Sequence, residues 1–455
     1  MDYTRNPLRT WSSTSWVIGI ILGVLIPATG HAAFASRFSL TLQEEYNDNI
    51  FFTKNKEHDI VTVITPTLTF LYAPVGQTAP TFNLNISPSA ELYARHSDLN
   101  NFGDTLSVNG AYSYQYSPRL NFHISNTLQR LGDTRAGDLD EGGIQARSTP
   151  TSPPPVDASA LQPSSQNLKD FISRGDQITN SFSALGSFLY RPDVRFTGGY
   201  SNSFVHFIDA GGNDIFHTVG FRGIYNWRQE HNLHAGYSLS IGESRDGDTS
   251  VVHTFDLGDD YFSNYQIRLS PTLTLAASTG ISFNAGSSGP RVANNTNITV
   301  TKIWETATLT GGARKGLTPS FGVSGISDTT SLFTQFRMQI TEKLIGNAGV
   351  EFSLFDTKDV NFKTLRANMG LQYLITNWLS SGLVYSHRQI DSGAGANSSD
   401  LLDRGKITGN RVYLYFIAHF DIWPNIGLAR SMTAPSLNPL ITLPFQAAPV
   451  TTPQP

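Results

Sequence analysis

No cysteine occurs anywhere in the chain, which removes disulfides, thiolate metal sites and a lipid-anchored cysteine from consideration. Long apolar runs are missing as well. The best of them, Val17 to Ile26, is about ten residues against the ~20 that a membrane-spanning helix needs. Charge is sparse and nearly balanced, with Lys plus Arg at 32, Asp plus Glu at 36 and a net charge of −4. A chain with no basic stripe lacks the electrostatic footprint of a nucleic-acid binder. Catalytic motifs are absent too. There is no His-Glu-x-x-His, and Gly311-Gly-Ala-Arg-Lys-Gly316 has neither the spacing nor the Lys-Ser/Thr pair that grips phosphate. Serines and histidines are plentiful, but abundance does not make a Ser-His pair, and a strand histidine such as His123 or His234 is more often a hydrogen-bonding residue than a base. The expectation is a protein that is not an enzyme and carries no cofactor and no metal.

What is present is a two-residue hydrophobic rhythm from about Ser36 to Phe420, rich in Gly, Ser, Thr, Asn, Tyr and Phe. In Gly409 to Phe420, Val412, Leu414, Phe416, Ala418 and Phe420 share one face of an extended strand, and Tyr413, Tyr415 and His419 share the other. Strands are expected near 36–47, 60–72, 81–94, 105–116, 119–130, 176–190, 194–207, 215–228, 231–242, 251–268, 272–284, 296–304, 306–315, 327–340, 344–355, 361–374, 378–389 and 409–420. Tight reversals such as Ser117-Pro118-Arg119, Arg191-Pro192-Asp193 and Thr376-Asn377-Trp378 alternate with longer Gly-, Asn-, Asp- and Ser-rich segments. Short on one rim and long on the other is the pattern of an outer-membrane barrel.

The fold expected is therefore all-β, a transmembrane antiparallel up-and-down β-barrel of about 18 strands (roughly 16–18), with short periplasmic turns and long extracellular loops. An even count places both ends on the periplasmic side. The uncertain places are the pair around Trp304 to Thr306 and the strand at 251–268, where Asp256, Asp259 and Asp260 interrupt the apolar face. Arg5 and Arg9 before the short apolar run, then Pro27 and Ala33-Phe34-Ala35, read as a signal peptide over 1–35, cut before Ser36. The barrel spans 36–420, and a Pro-rich periplasmic tail fills 421–455. A short strand or plug through Ile441 to Phe445 is the alternative for that tail.

The face assignment turns the rhythm into chemistry. Phe82, Leu84, Ile86, Tyr112, Tyr114, Tyr116, Phe221, Tyr225, Val350, Leu365 and Met369 are among the residues assigned to lipid, many at strand ends where aromatic girdles belong. A charge facing lipid at mid-membrane costs about 2–4 kcal/mol. Glu91, Arg195, Arg222, Arg228, Arg268, Arg314, Arg337, Glu351, Arg366 and Arg388 are therefore assigned to the lumen, with His123, His234 and Asp256. They either line a water-filled path or pair with one another and fill a closed tube. In the long loop at 131–175, Asp133, Asp138, Asp140 and Glu141 could fold inward as an acidic constriction, although the stretch Ser148 to Pro155 reads as an external loop. Their spacing lacks the full calcium-loop pattern.

Leu42-Gln-Glu-Glu-Tyr-Asn-Asp-Asn-Ile-Phe51 followed by Asp59-Ile-Val-Thr-Val-Ile-Thr-Pro66 resembles the opening hairpin of the β-barrel porin 2 family. That family comprises outer-membrane β-barrel proteins, some of them near exopolysaccharide and exosortase loci. The Gly409 to Phe420 strand is similar to its closing strand, and Tyr93 to Phe102 is similar to a further segment of it. The resemblance covers about 36–420 and implies a cell outer-membrane location without a defined cargo. Tyr413, Tyr415, Phe416 and Phe420 then resemble the terminal signal read by the outer-membrane assembly machinery. The expected function is a porin-like channel for passive passage of small hydrophilic solutes or ions. The alternative is a non-conducting structural or assembly component of an envelope polysaccharide export system. Expected partners are outer-membrane lipid, lipopolysaccharide, the assembly machinery and polysaccharide export components, with no nucleic acid.

Overall fold

The computed structural model describes residues 32–74, 80–131, 176–208, 211–228, 231–244, 247, 249–259, 267–270, 273–286, 290–319, 326–356, 361–392 and 405–423. Its strands are β1 (Ala32–Asn47), β2 (Asp59–Pro74), β3 (Thr81–Tyr93), β4 (Asn101–Ser117), β5 (Leu120–Leu131), β6 (Gln177–Arg191) and β7 (Val194–Phe207). They continue with β8 (Asn213–Arg228), β9 (His231–Glu243), β10 (Thr249–Asp259), β11 (Ile267–Ser270), β12 (Leu273–Asn284) and β13 (Arg291–Ile303). The last six are β14 (Ala307–Pro319), β15 (Ile326–Gln339), β16 (Leu344–Asp356), β17 (Asn361–Thr376), β18 (Leu379–Ser392) and β19 (Gly405–Trp423). One 3-10 turn, Ser97–Leu99, sits between β3 and β4. Strands next to each other in the chain pair antiparallel, except that β10 and β11 both pair with β12 and not with each other, and β1 also pairs with β19 from Ser36↔Trp423 to Asn47↔Arg411. Closure removes the sheet edges whose unpaired N–H and C=O groups would otherwise seek other chains.

The nineteen segments occupy eighteen positions, because β10 and β11 lie end to end beside β12. Val252 to Phe255 pair with Ile281 to Asn284, and Ile267 to Ser270 pair with Leu273 to Leu275. The expected strand at 251–268 is thus a broken one. Its described pairing with β12 stops at Phe255, just before Asp256, and residues 260–266 lie outside the described residues. The other uncertain place resolves cleanly, since Trp304 N–H donates to the Ala307 carbonyl at 2.7 Å and turns β13 into β14. β1 and β19 run longer than the pattern suggested. Ala32 to Ala35 pair with Leu71 to Pro74, and Asp421 to Trp423 continue the closing strand. Residues 1–31 and 424–455 lie outside the described residues.

Both described ends lie on one rim, with the tight turns at 118–119, 192–193 and 377–378. The segments at 48–58 and 94–100, with residues 208, 211–212, 244 and 247, lie on the other. Ser117 Oγ accepts from the N–H groups of Arg119 and Leu120, and Thr376 Oγ1 from those of Trp378 and Leu379. Each hydroxyl satisfies donors that a two-residue reversal frees from the ladder.

The wall has two faces, as the period-two pattern requires. On β19, Arg411, Tyr413, Tyr415 and Ile417 are buried inward while Val412, Leu414, Phe416 and Phe420 are exposed outward. On β17 the outward row runs Leu365, Ala367, Met369, Leu371, Tyr373, Ile375, an apolar band about 25 Å tall once the strand tilt is allowed for. Aromatics collect on the outer face near the short-turn rim. Tyr112, Tyr114 and Tyr116 follow one another, Phe196 stacks on Phe221 at 5.8 Å, and Phe420 lies between Phe38 and Trp378. Near the closure, Tyr415 covers Gly382 directly across the β18–β19 pair, and a Cβ on Gly382 would collide with the tyrosine ring. Only glycine fits beneath the ring, which packs with Val384, Tyr413 and Ile417.

Candidate functional site: the lumen and its long-loop mouth

The inward phase brings most of the expected charges onto the inner surface. On β16 to β18, Glu351 lies opposite Arg366, and Arg366 opposite Arg388, so carboxylate and guanidinium groups follow each other along one row of the wall. The Arg388 guanidinium also sits 3.8 Å from the centre of the Phe52 ring, and that of Arg314 4.5 Å from Phe333, both close enough for a cation–π contact. Arg195, Arg314 and Arg337 are inward yet exposed, so water reaches their guanidinium groups from the lumen. Glu91, 2% exposed, accepts from the hydroxyls of Tyr93 and Thr105 at 3.0 and 3.1 Å. It is a structural carboxylate set into the wall.

Across the barrel, Arg222 on β8 donates to the Asp256 carboxylate on β10, with the His234 ring of β9 3.8 Å from it. Glycine makes room for the cluster, because a Cβ on Gly236 would collide with Asp256. The three residues were each assigned to the lumen, and the pairing of β8, β9 and β10 brings them together. The side chains of Arg228 and Arg268 lie outside the described residues. So do Asp133, Asp138, Asp140 and Glu141 with the 132–175 segment.

The best-defined constellation was not assigned a role from sequence, although its residues are those of the opening hairpin. The segment 48–58 folds as a clip over the seam between β1 and β19. Asp48 accepts from the backbone N–H and the side-chain Nδ2 of Asn410 at 2.6 and 2.7 Å, and from Lys56 Nζ at 2.8 Å. Burial pushes its carboxyl up, but these donors outweigh that and hold it below its ordinary 3.8. Asn49 Nδ2 donates to the carbonyls of Thr53 and Thr408, and its Oδ1 accepts from Thr53 N–H. One asparagine thus closes its own loop and ties it to the last strand. Phe52, at φ 46°, turns inward from this clip onto Arg388 and against Gly409. A non-glycine residue in the left-handed region is uncommon and is held by its surroundings.

A second tie joins the clip to the next long-rim segment. The Asp59 carboxylate, fully buried, accepts from the N–H groups of Ile60, Arg95 and His96 and faces His96 Nδ1 at 2.8 Å. His96 Nε2 meets Glu57 Oε2 at 3.1 Å. A ring held between two carboxylates donates from both nitrogens only as imidazolium, and the Asp59 hydrogen bond raises the His96 pKa above 6.5. Beneath the clip, Arg411 Nη1 lies 3.7 Å from Glu45, which also accepts from Gln43.

Among the described residues two serine–histidine contacts occur, Ser113 Oγ with His123 Nδ1 at 2.8 Å and Ser39 Oγ with His419 Nδ1 at 2.9 Å. They are cross-strand pairs in a ladder whose N–H groups already serve the sheet. Asp421, near His419, is engaged by Arg37 at 2.8 Å. Neither contact has the third orienting group and free oxyanion donors that nucleophilic catalysis needs. Among the described residues no group of three or more His, Cys, Asp or Glu is arranged to hold a metal ion. Of the residues assigned to an assembly signal, Tyr413 and Tyr415 are packed inside, and Phe416 and Phe420 face outward.

No family profile matches the chain, and no curated protein sequence matches it. Among solved structures, the chain is similar to OccK2 (OpdF) of Pseudomonas aeruginosa at 11% identity and a TM-score of 0.43, over 86% of this chain and 98% of that one. It is similar to the outer membrane protein opdK of the same organism at 13% identity and a TM-score of 0.43, over 85% and 99%. A loop-deletion form of OmpT, an outer membrane protein of Vibrio cholerae, aligns at 9% identity and a TM-score of 0.36, over 86% and 100%. These values add nothing to what the strand pairing already establishes.

Proposed function

We propose that this chain is an outer-membrane β-barrel channel through which small hydrophilic solutes or ions pass passively. The carrying observation is that Arg195, Arg314 and Arg337 are solvent-exposed on the inward face of a closed wall whose outward face is apolar. Polar inside, greasy outside and free of edges is the combination that lipid demands of a sheet. Guanidinium groups in reach of water along the path favour anionic solutes, with Glu351 tempering the effect beside Arg366. The resemblance of the opening hairpin to the β-barrel porin 2 family belongs to this proposal. The signal peptide, the assembly-signal role of Phe416 and Phe420, and the absence of an enzymatic activity belong to the same proposal.

The purified protein in a planar bilayer tests it. Stable conductance steps are expected, with selectivity moving toward cations in Arg337→Gln and Arg366→Gln. A barrel that inserts but stays electrically silent would reject the channel. One observation favours a second reading. Val205, Phe207 and Phe216 form a buried inward cluster near the long-loop rim, and Phe355 and Phe362 stack inward at 4.6 Å. Apolar packing at the mouth suits a narrow or closed tube, and a silent barrel would point to a structural component of an envelope polysaccharide export system.

A further inference from the structure

On the long-loop side of the apolar band of β15 to β17 lies a cleft. Its volume is about 460 Å³, and Lys315, Asp328, Asp356, Lys363 and Asp391 line it together with Phe355 and Phe362 of the inward phase. The five charged residues lie on the outward phase, since Ser327, Ser353, Phe355, Phe362, Thr364 and Ile390 are buried on the inward one. The register sets their order around the wall. Lys406 on β19 is opposite Asp391, and Asp391 opposite Lys363. Lys363 is opposite Leu354, Leu354 opposite Thr330, and Thr330 opposite Lys315.

Two features set this cleft apart from a merely solvated rim. Asp328 and Asp356 lie directly opposite one another, a like-charge pair that destabilises a sheet unless it is neutralised. The Oδ1 atom of Asp328 is buried without a hydrogen-bond partner, and Lys315 Nζ stands 4.0 Å from its Oδ2. Buried carboxylate oxygens are rarely left so. Immediately toward the short-turn rim, the outward row of β17 turns apolar at Leu365, so the cleft sits where acyl chains would give way to headgroups.

We propose that this cleft binds the phosphorylated headgroup of an outer-leaflet glycolipid. Lys315 and Lys363 contact the phosphates as point charges, and a divalent cation carried with the lipid neutralises the Asp328–Asp356 pair. Leu354 and Leu365 lie against the first acyl carbons. The assignment rests on the channel reading above in one respect only, that the barrel spans the outer membrane.

Native mass spectrometry of the detergent-solubilised, full-length barrel tests it, with Mg²⁺ present and diphosphoryl lipid A as the probe. Dephosphorylated lipid A, phosphatidylglycerol and inorganic phosphate serve as the other arms. Diphosphoryl lipid A is expected to stay bound, inorganic phosphate not to displace it, and Lys315→Gln/Lys363→Gln to lower its retention at least roughly tenfold. Bilayer conductance, read on the same samples, should be unchanged in that variant. Equal retention by the double variant, equal binding of the dephosphorylated or glycerol lipid, or displacement by free phosphate overturns the proposal. A protein that inserts and conducts but retains no lipid A sinks this site alone, whereas one that never enters a bilayer sinks the membrane reading with it.

Discussion

The seam between β1 and β19 and the arc around β10 and β11 solve the same problem with opposite means. At the seam, an unbroken run from Arg37 to Asn47 is paired, a buried tyrosine fills the space over a glycine, and a clip of side-chain hydrogen bonds crosses from the first strand to the last. In the arc, β10 shares only Val252 to Phe255 with β12, and an ion pair with a histidine beside it stands in the wall. Closing the first strand on the last orders the longest stretch of chain, and that is where local chemistry is densest. Where consecutive strands are joined by a short turn, pairing comes with little ordering cost and the wall tolerates a break.

The arc should be the easier of the two to break. Replacing Arg222 by Ala leaves Asp256, with its side chain 19% exposed, without its guanidinium, and a loss of roughly 2–4 kcal/mol is expected, at and just below the range for a broken buried pair. A denaturant midpoint in detergent reads this, and Arg222→Met/Asp256→Leu should recover part of it. Next comes Gly382→Ala at the seam, where Tyr415 must shift, at a cost of about 1–3 kcal/mol. The loss should appear as a lower temperature for conversion of the folded, fast-migrating band on an unheated gel.

Asp48→Ala removes acceptors from Asn410 and Lys56 and should cost about 1–3 kcal/mol, with amide-exchange protection lost at 405–412 while the β10 arc is unmoved. Titration separates the two regions without mutation. His96 has its pKa raised in the fold, so its tie to Asp59 and Glu57 contributes fully below about pH 6.5 and fades as pH climbs through the raised value. Exchange at 94–100 should accelerate over that window, and in His96→Asn it should be flat there. The smallest effect is expected from Phe52→Ala, a modest rise in single-channel conductance as the lumen beside Arg388 widens. Unchanged conductance would place Phe52 outside the conducting path.

Much of the wall was legible because period-two alternation is a local property. Val412 to Phe420 read as outward, and Tyr413 and Tyr415 as inward, from the strand alone, and the turns at 118–119 and 377–378 announced themselves by Pro and by Thr-Asn. Assignment to the lumen followed for Glu91, Arg222, Glu351 and Arg388, since it needed only parity. Partners were not legible, because cross-strand register depends on loop geometry: nothing in the alternation said that Asp256 would meet Arg222, or that Glu351 would face Arg366. The break at β10/β11 was visible only as misplaced carboxylates. The Asn47-Asp48-Asn49 triplet stood out as a resemblance, yet its role could not be read, since its partners Thr408 and Asn410 lie at the far end of the chain.

That distance has a further meaning. Asp48 and Asn410 are separated by 362 positions in sequence, and every strand between them must be laid down before they can touch. A chain stalled before β19 is added cannot present Asn410 to Asp48. The clip therefore closes only once the last strand is in place: before β19 pairs, the 48–58 segment lacks Asn410 and Thr408 as partners.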